Sequence, residues 1–244
     1  MIYQLELAGH PLRYSLHWPK THFCFGEYMR PVSGEAYDLR ASDGLLAHVR
    51  TLLPPDAKDH YVEYRTLILS TSHPLLRYGC CLFHAAAFLY QGRAWLVTGP
   101  TGVGKTTQFR NWQRLFPGEI QMICGDMPVL EGREDGSVWV HPSPWNGKEH
   151  MGNRSLSAPL GGVVRLEQKD ENFIYPLPLC DAIPALFRQF MVRPEDEAEI
   201  LALSELVERA LKYAPVWFFE NRGDDASTVL LRDTLLKGGL HDTL

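Results

Sequence analysis

The sequence predicts an α/β protein in which a small β-rich region over residues 1–70 precedes a larger mixed domain over residues 71–244. Three observations carry that expectation. Near the start, short apolar runs such as Ile2-Tyr3-Gln4-Leu5-Glu6-Leu7 alternate with turn residues. In the middle, two apolar runs joined by Gln91-Gly92-Arg93 lead straight into a glycine-rich stretch that opens a helical segment. In the last third, apolar residues recur at helical spacing.

The 244 residues suffice for one generous core, and the 45% hydrophobic and 22% charged fractions are those of a globular chain. A net charge of −5 with dispersed Lys and Arg argues against a nucleic-acid footprint or a membrane-surface patch. The expected partners are therefore small molecules or another protein, and a homo-oligomer is compatible with this composition. The opening MIYQLELAGHPLRYSL lacks a basic region followed by an apolar run, and no stretch is apolar and long enough to span a bilayer, so a cytoplasmic location is expected. The 5 cysteines include the adjacent pair Cys80-Cys81, which lacks redox or metal-knuckle spacing and reads as reduced thiols. None of the 10 histidines falls in an HExxH or paired Cys/His pattern, so no structural zinc is expected.

Taken in order, the run at Tyr61-Val62-Glu63-Tyr64 suits a strand, and Asp43 is placed to cap a short helix from Leu45 to Leu53 that Pro54-Pro55 ends. Thr66 to Leu82 reads as a helical connector. Phe83-His84-Ala85-Ala86-Ala87-Phe88-Leu89-Tyr90 and Ala94-Trp95-Leu96-Val97-Thr98 should pair as a hairpin. A helix over residues 107–116 stops at Pro117-Gly118, and Gln121-Met122-Ile123-Cys124 forms a strand delivering Gly125-Asp126. Val129-Leu130 and Val138-Trp139-Val140 form a second hairpin. A long loop over residues 142–158 then precedes a strand at Gly162-Val163-Val164-Arg165-Leu166-Glu167, and loops of that length inside compact domains are usually functional. Helices over residues 180–190 and 195–213 and a buried strand at Pro215-Val216-Trp217-Phe218-Phe219 complete the reading.

Gly99-Pro100-Thr101-Gly102-Val103-Gly104-Lys105-Thr106 fits the Walker A pattern and meets its structural condition, since a strand precedes it and a helix follows. Glycines let successive backbone N–H groups turn inward toward phosphates, and the helix N-terminus adds its dipole. Lys105 is placed to reach the β and γ phosphates, and the Thr106 hydroxyl to ligate magnesium. Asp126, ending the next strand, is the candidate second anchor for the metal, the alternative being a turn aspartate before Pro128.

Phe83-His84-Ala85, the Gly92 turn, residues Gly99 to Thr107 (Thr107 included) and Cys124-Gly125-Asp126-Met127-Pro128 resemble the catalytic segment of HPr-kinase-related proteins. The hairpin entering the loop is similar in topology to HPr kinase/phosphorylase and phosphoenolpyruvate carboxykinase. His141-Pro142-Ser143-Pro144-Trp145-Asn146-Gly147-Lys148-Glu149 and Ala158-Pro159-Leu160 are similar to a bacterial subgroup of these proteins. The resemblance implies an α/β phosphoenolpyruvate-carboxykinase-like P-loop domain that uses ATP and Mg2+ to phosphorylate a hydroxyl of a protein, peptide or small molecule. It implies His84, Lys105 and Asp126 as catalytic residues. His84 reads equally as a core histidine, and Asp126 as metal ligand, base or both. Lys148 and Arg154 are candidates to offset phosphate charge or remain a solvated loop face, and Trp145 to stack on a base or anchor the loop. The pattern also departs from the family: Pro100 stands where HPr kinases carry an acid, and Gly125-Asp126 replaces an Asp-Asp pair. An NTP hydrolase or nucleotide-gated switch, and a non-catalytic nucleotide-binding module of a peptide-modification system, therefore stand beside the kinase.

Overall fold

The computed structural model describes residues 2–147 and 151–238. Ile2–Leu7 (β1) and His10–Ser15 (β2) form a hairpin flanked by Met29–Arg30 (β3) and Tyr37–Leu39 (β4), giving a four-stranded sheet of order β3-β1-β2-β4. Leu5, Leu7, Leu12 and Tyr14 turn inward. The region is more helical than expected. Asp43–Thr51 (α1) is capped not by Asp43, its first residue, but by Ser42, whose hydroxyl oxygen accepts from the Leu45 N–H at 3.3 Å.

Asp59–Leu76 (α2) replaces two expectations at once. Tyr61 to Tyr64 is helix rather than strand, and the connector expected to continue to Leu82 ends at Leu76, so residue 70, the expected domain boundary, lies inside a helix. The apparent alternation at Tyr61-Val62-Glu63-Tyr64 misled because Glu63, a charged residue, is fully buried there. Its carboxylate accepts from the backbone N–H of His17 at 2.6 Å and of Trp18 at 3.2 Å, from the Thr21 hydroxyl at 2.5 Å, and lies 2.9 Å from His17 Nδ1. One buried acid thus satisfies the donors of the turn that opens the short 3-10 segment Pro19–Cys24.

Among the described residues the larger sheet has nine strands: Cys80–Leu82 (β5), Ala86–Tyr90 (β6), Arg93–Thr98 (β7), Gln121–Cys124 (β8), Val129–Gly132 (β9), Val138–His141 (β10), Ala158–Gln168 (β11), Phe173–Pro176 (β12) and Val216–Asn221 (β13). The two expected hairpins, β6-β7 and β9-β10, are both present, with Gln91 and Gly92 at positive φ in the tight turn of the first. The strand expected from Phe83 starts only at Ala86, because Phe83 makes an isolated bridge to Phe190 instead. β11 is the hub: its first residues pair antiparallel with β10, and its remainder runs parallel to both β7 and β13.

Helices cover both faces of this sheet. Lys105–Leu115 (α3) and Asp225–Gly238 (α6) lie over Phe88, Trp95, Val97 and Phe219, while Leu179–Phe187 (α4) and Glu197–Tyr213 (α5) lie over Leu96, Leu160 and Val163. α5 begins at Glu197 rather than Glu195 because the Asp196 carboxylate accepts from the Glu199 N–H at 2.9 Å and so fixes the cap. Leu67, Ile68 and Leu75 of α2 share a core with Cys80, Leu82 and Val129, which joins the two sheets. No helix among the described residues is long and apolar enough to cross a membrane.

Removing the acceptor at Glu63 strands several buried donors, so Glu63→Ala is expected to destabilise the protein by about 3 kcal/mol. Urea unfolding checks this; a change within about 0.5 kcal/mol, the usual range for surface substitutions, would show that the turn does not depend on the carboxylate.

Candidate functional site

Strand direction brings the candidate residues to one edge of the sheet. β6 is antiparallel to both β7 and β8, so the C-terminal ends of β7 and β8 and the start of β6 lie together. The first end delivers Gly99, the second Gly125-Asp126, and the third His84. Pairing continues past the strands, with the Ala85 N–H donating to the Asp126 carbonyl at 2.9 Å and the Phe83 N–H to Pro128 at 2.9 Å.

The Gly99 to Thr106 loop owes its course to two glycines. At Gly99, φ is 146°, and a Cβ there would come within 2.6 Å of the Leu166 carbonyl oxygen on β11. Gly104 sits at φ 106° as the residue before α3, and no side chain among the described residues caps that helix. A left-handed residue followed at once by an uncapped N-terminus leaves the first-turn N–H groups aimed into the loop, the geometry that favours an anion. Pro100, Thr101, Gly102 and Val103 form the crest of the loop. Thr106 is half-buried in the first turn of α3, and Thr107 is exposed.

Lys105 folds over this loop, its Nζ donating to the Gly99 carbonyl at 2.8 Å and the Pro100 carbonyl at 3.2 Å. Burial pushes its pKa below the usual lysine value, and the negative charge of Asp126 opposes that shift. His84 Nε2 lies 3.5 Å from Asp126 Oδ1, with side chains 21% and 26% exposed, so this pair is reachable from solvent rather than sealed in the core. The His84 backbone is fixed on both sides: its N–H donates to the Gln189 carbonyl at 2.7 Å, and its own carbonyl lies 2.8 Å from the Thr98 hydroxyl. His84, Lys105 and Asp126 are thus neighbours, although 42 positions separate the first from the last.

Several residues around the site lie outside the glycine-rich stretch. Asn146 accepts a close hydrogen bond from the Gly125 N–H, and a Cβ on residue 125 would approach the Asn146 carbonyl oxygen to 2.6 Å. The space where the resemblance leads one to expect a second acid is therefore filled by backbone. Trp145 is buried, its indole N–H donating to the Tyr64 carbonyl at 3.3 Å and its ring packing near Tyr64 and Phe25, so it anchors the loop. Arg154 turns toward the N-terminal region, donating to the Glu27 carbonyl at 2.5 Å. Lys148 lies outside the described residues. On the far side of the loop, Asn221 at the end of β13 accepts from the Gln108 amide at 2.6 Å and so braces α3. A polar residue closing an apolar run was the only signal for Asn221.

Gly125→Ala must push the Asn146 backbone aside or strain residue 125, which is expected to destabilise by about 1–3 kcal/mol. Thermal melting checks this; an unchanged melting temperature would mean that the loop yields freely and that residue 125 could carry an acid.

No protein-family profile matches the chain, and no curated protein sequence matches it. Among solved structures, that of the HPr(Ser) kinase/phosphatase from Coxiella burnetii is similar at 15% identity, with a TM-score of 0.36, over 64% of this chain and 97% of that one. A likeness that loose carries no functional argument, and the functional reading rests on the site.

Proposed function

We propose that the protein is a magnesium-dependent, ATP-binding phosphotransferase that moves the γ-phosphoryl group to a hydroxyl of a protein, peptide or small molecule. The observation that carries this reading is the convergence of Lys105, Asp126 and His84 on the open edge beside an uncapped helix N-terminus. The residue types suit the chemistry. Phosphoryl transfer asks little covalent work of a protein; it asks for donors around the phosphates, a cation that neutralises developing charge, and a base beside the acceptor. The loop N–H groups supply the first, Lys105 the second, and the Asp126–His84 pair the third.

Thr106 and Asp126 would hold magnesium through the hard oxygen ligands it requires, and the ion would supply positive charge to offset that of the phosphates. In the transfer, the acceptor O–H gives its proton to the Asp126–His84 pair, the acceptor oxygen bonds to the γ-phosphorus, and the bond to the β-phosphate oxygen breaks to release ADP. Lys105 exchanges the neutral carbonyls of Gly99 and Pro100 for charged phosphate oxygens, a stronger hydrogen bond.

A second reading draws on Gly125. With a single carboxylate at the strand end, the same site suits an NTP hydrolase or switch, or a nucleotide-binding module without turnover. Measuring ATP consumption with and without candidate acceptors separates them: acceptor-dependent loss supports the kinase, acceptor-independent loss the hydrolase, and none the binding module.

Lys105→Ala is expected to weaken MgATP binding by about tenfold or more, because charge-assisted bonds to the phosphates are lost. Unchanged affinity by isothermal titration would remove the loop from the phosphate site. His84→Ala is expected to leave MgATP affinity within a fewfold and most of the melting temperature in place while lowering transfer by about a hundredfold or more. A large fall in melting temperature with activity per folded molecule preserved would make His84 a core residue.

A further inference from the structure

Away from the phosphate loop, a second group of metal-competent side chains meets at the seam between the two sheets. We propose that His10, Cys80 and Glu131 form a binding site for a transition-metal ion of the zinc class. One ligand atom from each, an imidazole nitrogen, the thiol sulfur and a carboxylate oxygen, lie within 4.8 Å of one another. Nitrogen, sulfur and carboxylate oxygen together are the donor set of zinc rather than of magnesium or calcium.

The backbone explains why they meet. Cys80 on β5 and Glu131 on β9 are direct cross-strand partners, so their side chains share one face of the large sheet. His10 opens β2, immediately after the Ala8-Gly9 turn at positive φ, and its ring stacks on Tyr78 with centroids 4.0 Å apart. The Tyr78 ring and the tight turn between them hold the imidazole over the sheet. The carboxylate is oriented as well: Glu131 Oε2 lies 2.9 Å from His141 Nε2 and accepts from Arg133 Nε at 2.8 Å, while His141 Nδ1 lies 3.0 Å from the Ser157 hydroxyl. A ligand held by a histidine that is itself held by a hydroxyl is the kind of outer support that metal sites use. Both partners engage Oε2, and Oε1 takes no part in those contacts.

Two features set the terms of binding. Burial, with the charge of Glu131, pushes the Cys80 thiol up to about 12, so binding forms a metal–sulfur bond only as the thiol proton leaves to solvent. The Arg133 guanidinium beside Glu131 adds a competing positive charge, partly turned away over the Trp139 ring at 3.9 Å. Three protein ligands leave a fourth position open to water. Because His10 belongs to the N-terminal sheet and the other two to the large sheet, the ion would fasten one to the other. No sequence spacing announces the site, since positions 10, 80 and 131 are distant and Cys80-Cys81 lacks metal-knuckle spacing.

The test titrates the full chain with cobalt(II) as a spectroscopic probe and with zinc. One equivalent of cobalt with a thiolate-to-metal charge-transfer absorption is expected, together with a zinc-dependent rise in melting temperature. Cys80→Ser should abolish the charge-transfer band. His10→Gln, on an accessible hairpin, should weaken zinc binding about tenfold or more while the apo protein keeps its circular dichroism. Asp126→Asn should leave cobalt binding in place, which separates this site from the phosphate site. Absence of the band in the folded wild-type chain, its survival in Cys80→Ser, undiminished binding in His10→Gln, or its loss in Asp126→Asn would each overturn the assignment.

Discussion

The architecture hangs on a close approach at the middle of β11. A Cβ on Gly161 would lie 2.8 Å from the Trp95 ring, and one on Gly162 would lie 2.6 Å from Trp217 and 2.8 Å from Trp95. Two tryptophans from the strands on either side therefore occupy the space that ordinary side chains would take. Their rings lie 5.8 Å apart, and β11 shifts register between Leu160 and Gly162 to receive them. That irregularity is where β11 stops pairing with β10 and begins pairing with β13. It converts an antiparallel arm into a parallel one without ending the strand, and the parallel part is what gives β7, β11 and β13 a common C-terminal edge.

From that edge the site follows by short steps. Gly99 approaches the Leu166 carbonyl of β11 too closely for any other residue, so the loop leaves β7 in one direction only. α3 is then locked by a buried amide: Gln108 donates to Asn221 Oδ1 at 2.6 Å and to the Ser227 hydroxyl at 2.7 Å, and accepts from the Thr228 hydroxyl at 2.9 Å. Every hydrogen-bonding atom of that side chain except one lone pair is in use, so rotating α3 would leave buried polar atoms unpaired at a cost of about 1–3 kcal/mol each. A helix held this firmly keeps its N-terminus aimed at the loop.

Much of this was legible in the sequence because it is local. The β6-β7 hairpin, the loop, α3 and the strand that leads to Asp126 each announce themselves within a dozen residues through glycine placement and apolar runs. What escaped was set by distant contacts. The helix at Tyr61 looked like a strand because its buried acid answers donors at His17, Trp18 and Thr21, about forty positions earlier in the chain. The contact of Asn146 with Gly125 is not readable from the neighbours of either residue, since it forms across the sheet end. The ligand set at His10, Cys80 and Glu131 requires a cross-strand register and an inter-sheet seam that no window along the chain contains.

The close packing of Asn146 on Gly125 also has an electrostatic meaning. Two carboxylates at one strand end would repel each other, and without a metal one of them would tend to hold a proton. Here Asp126 has His84 and Lys105 as neighbours, so its negative charge faces a lysine before any ligand arrives. The amide of Asn146 meanwhile satisfies the Gly125 N–H and, through the Trp145 anchor against Tyr64 and Phe25, ties the rim of the site to the N-terminal region. The site thus carries one carboxylate at this strand end and a rim whose position is set by packing. The N-terminal region consequently belongs to the site's construction: loosening Tyr64 or Phe25 would release the loop that closes over Gly125, with no change to any residue from Gly99 to Thr106.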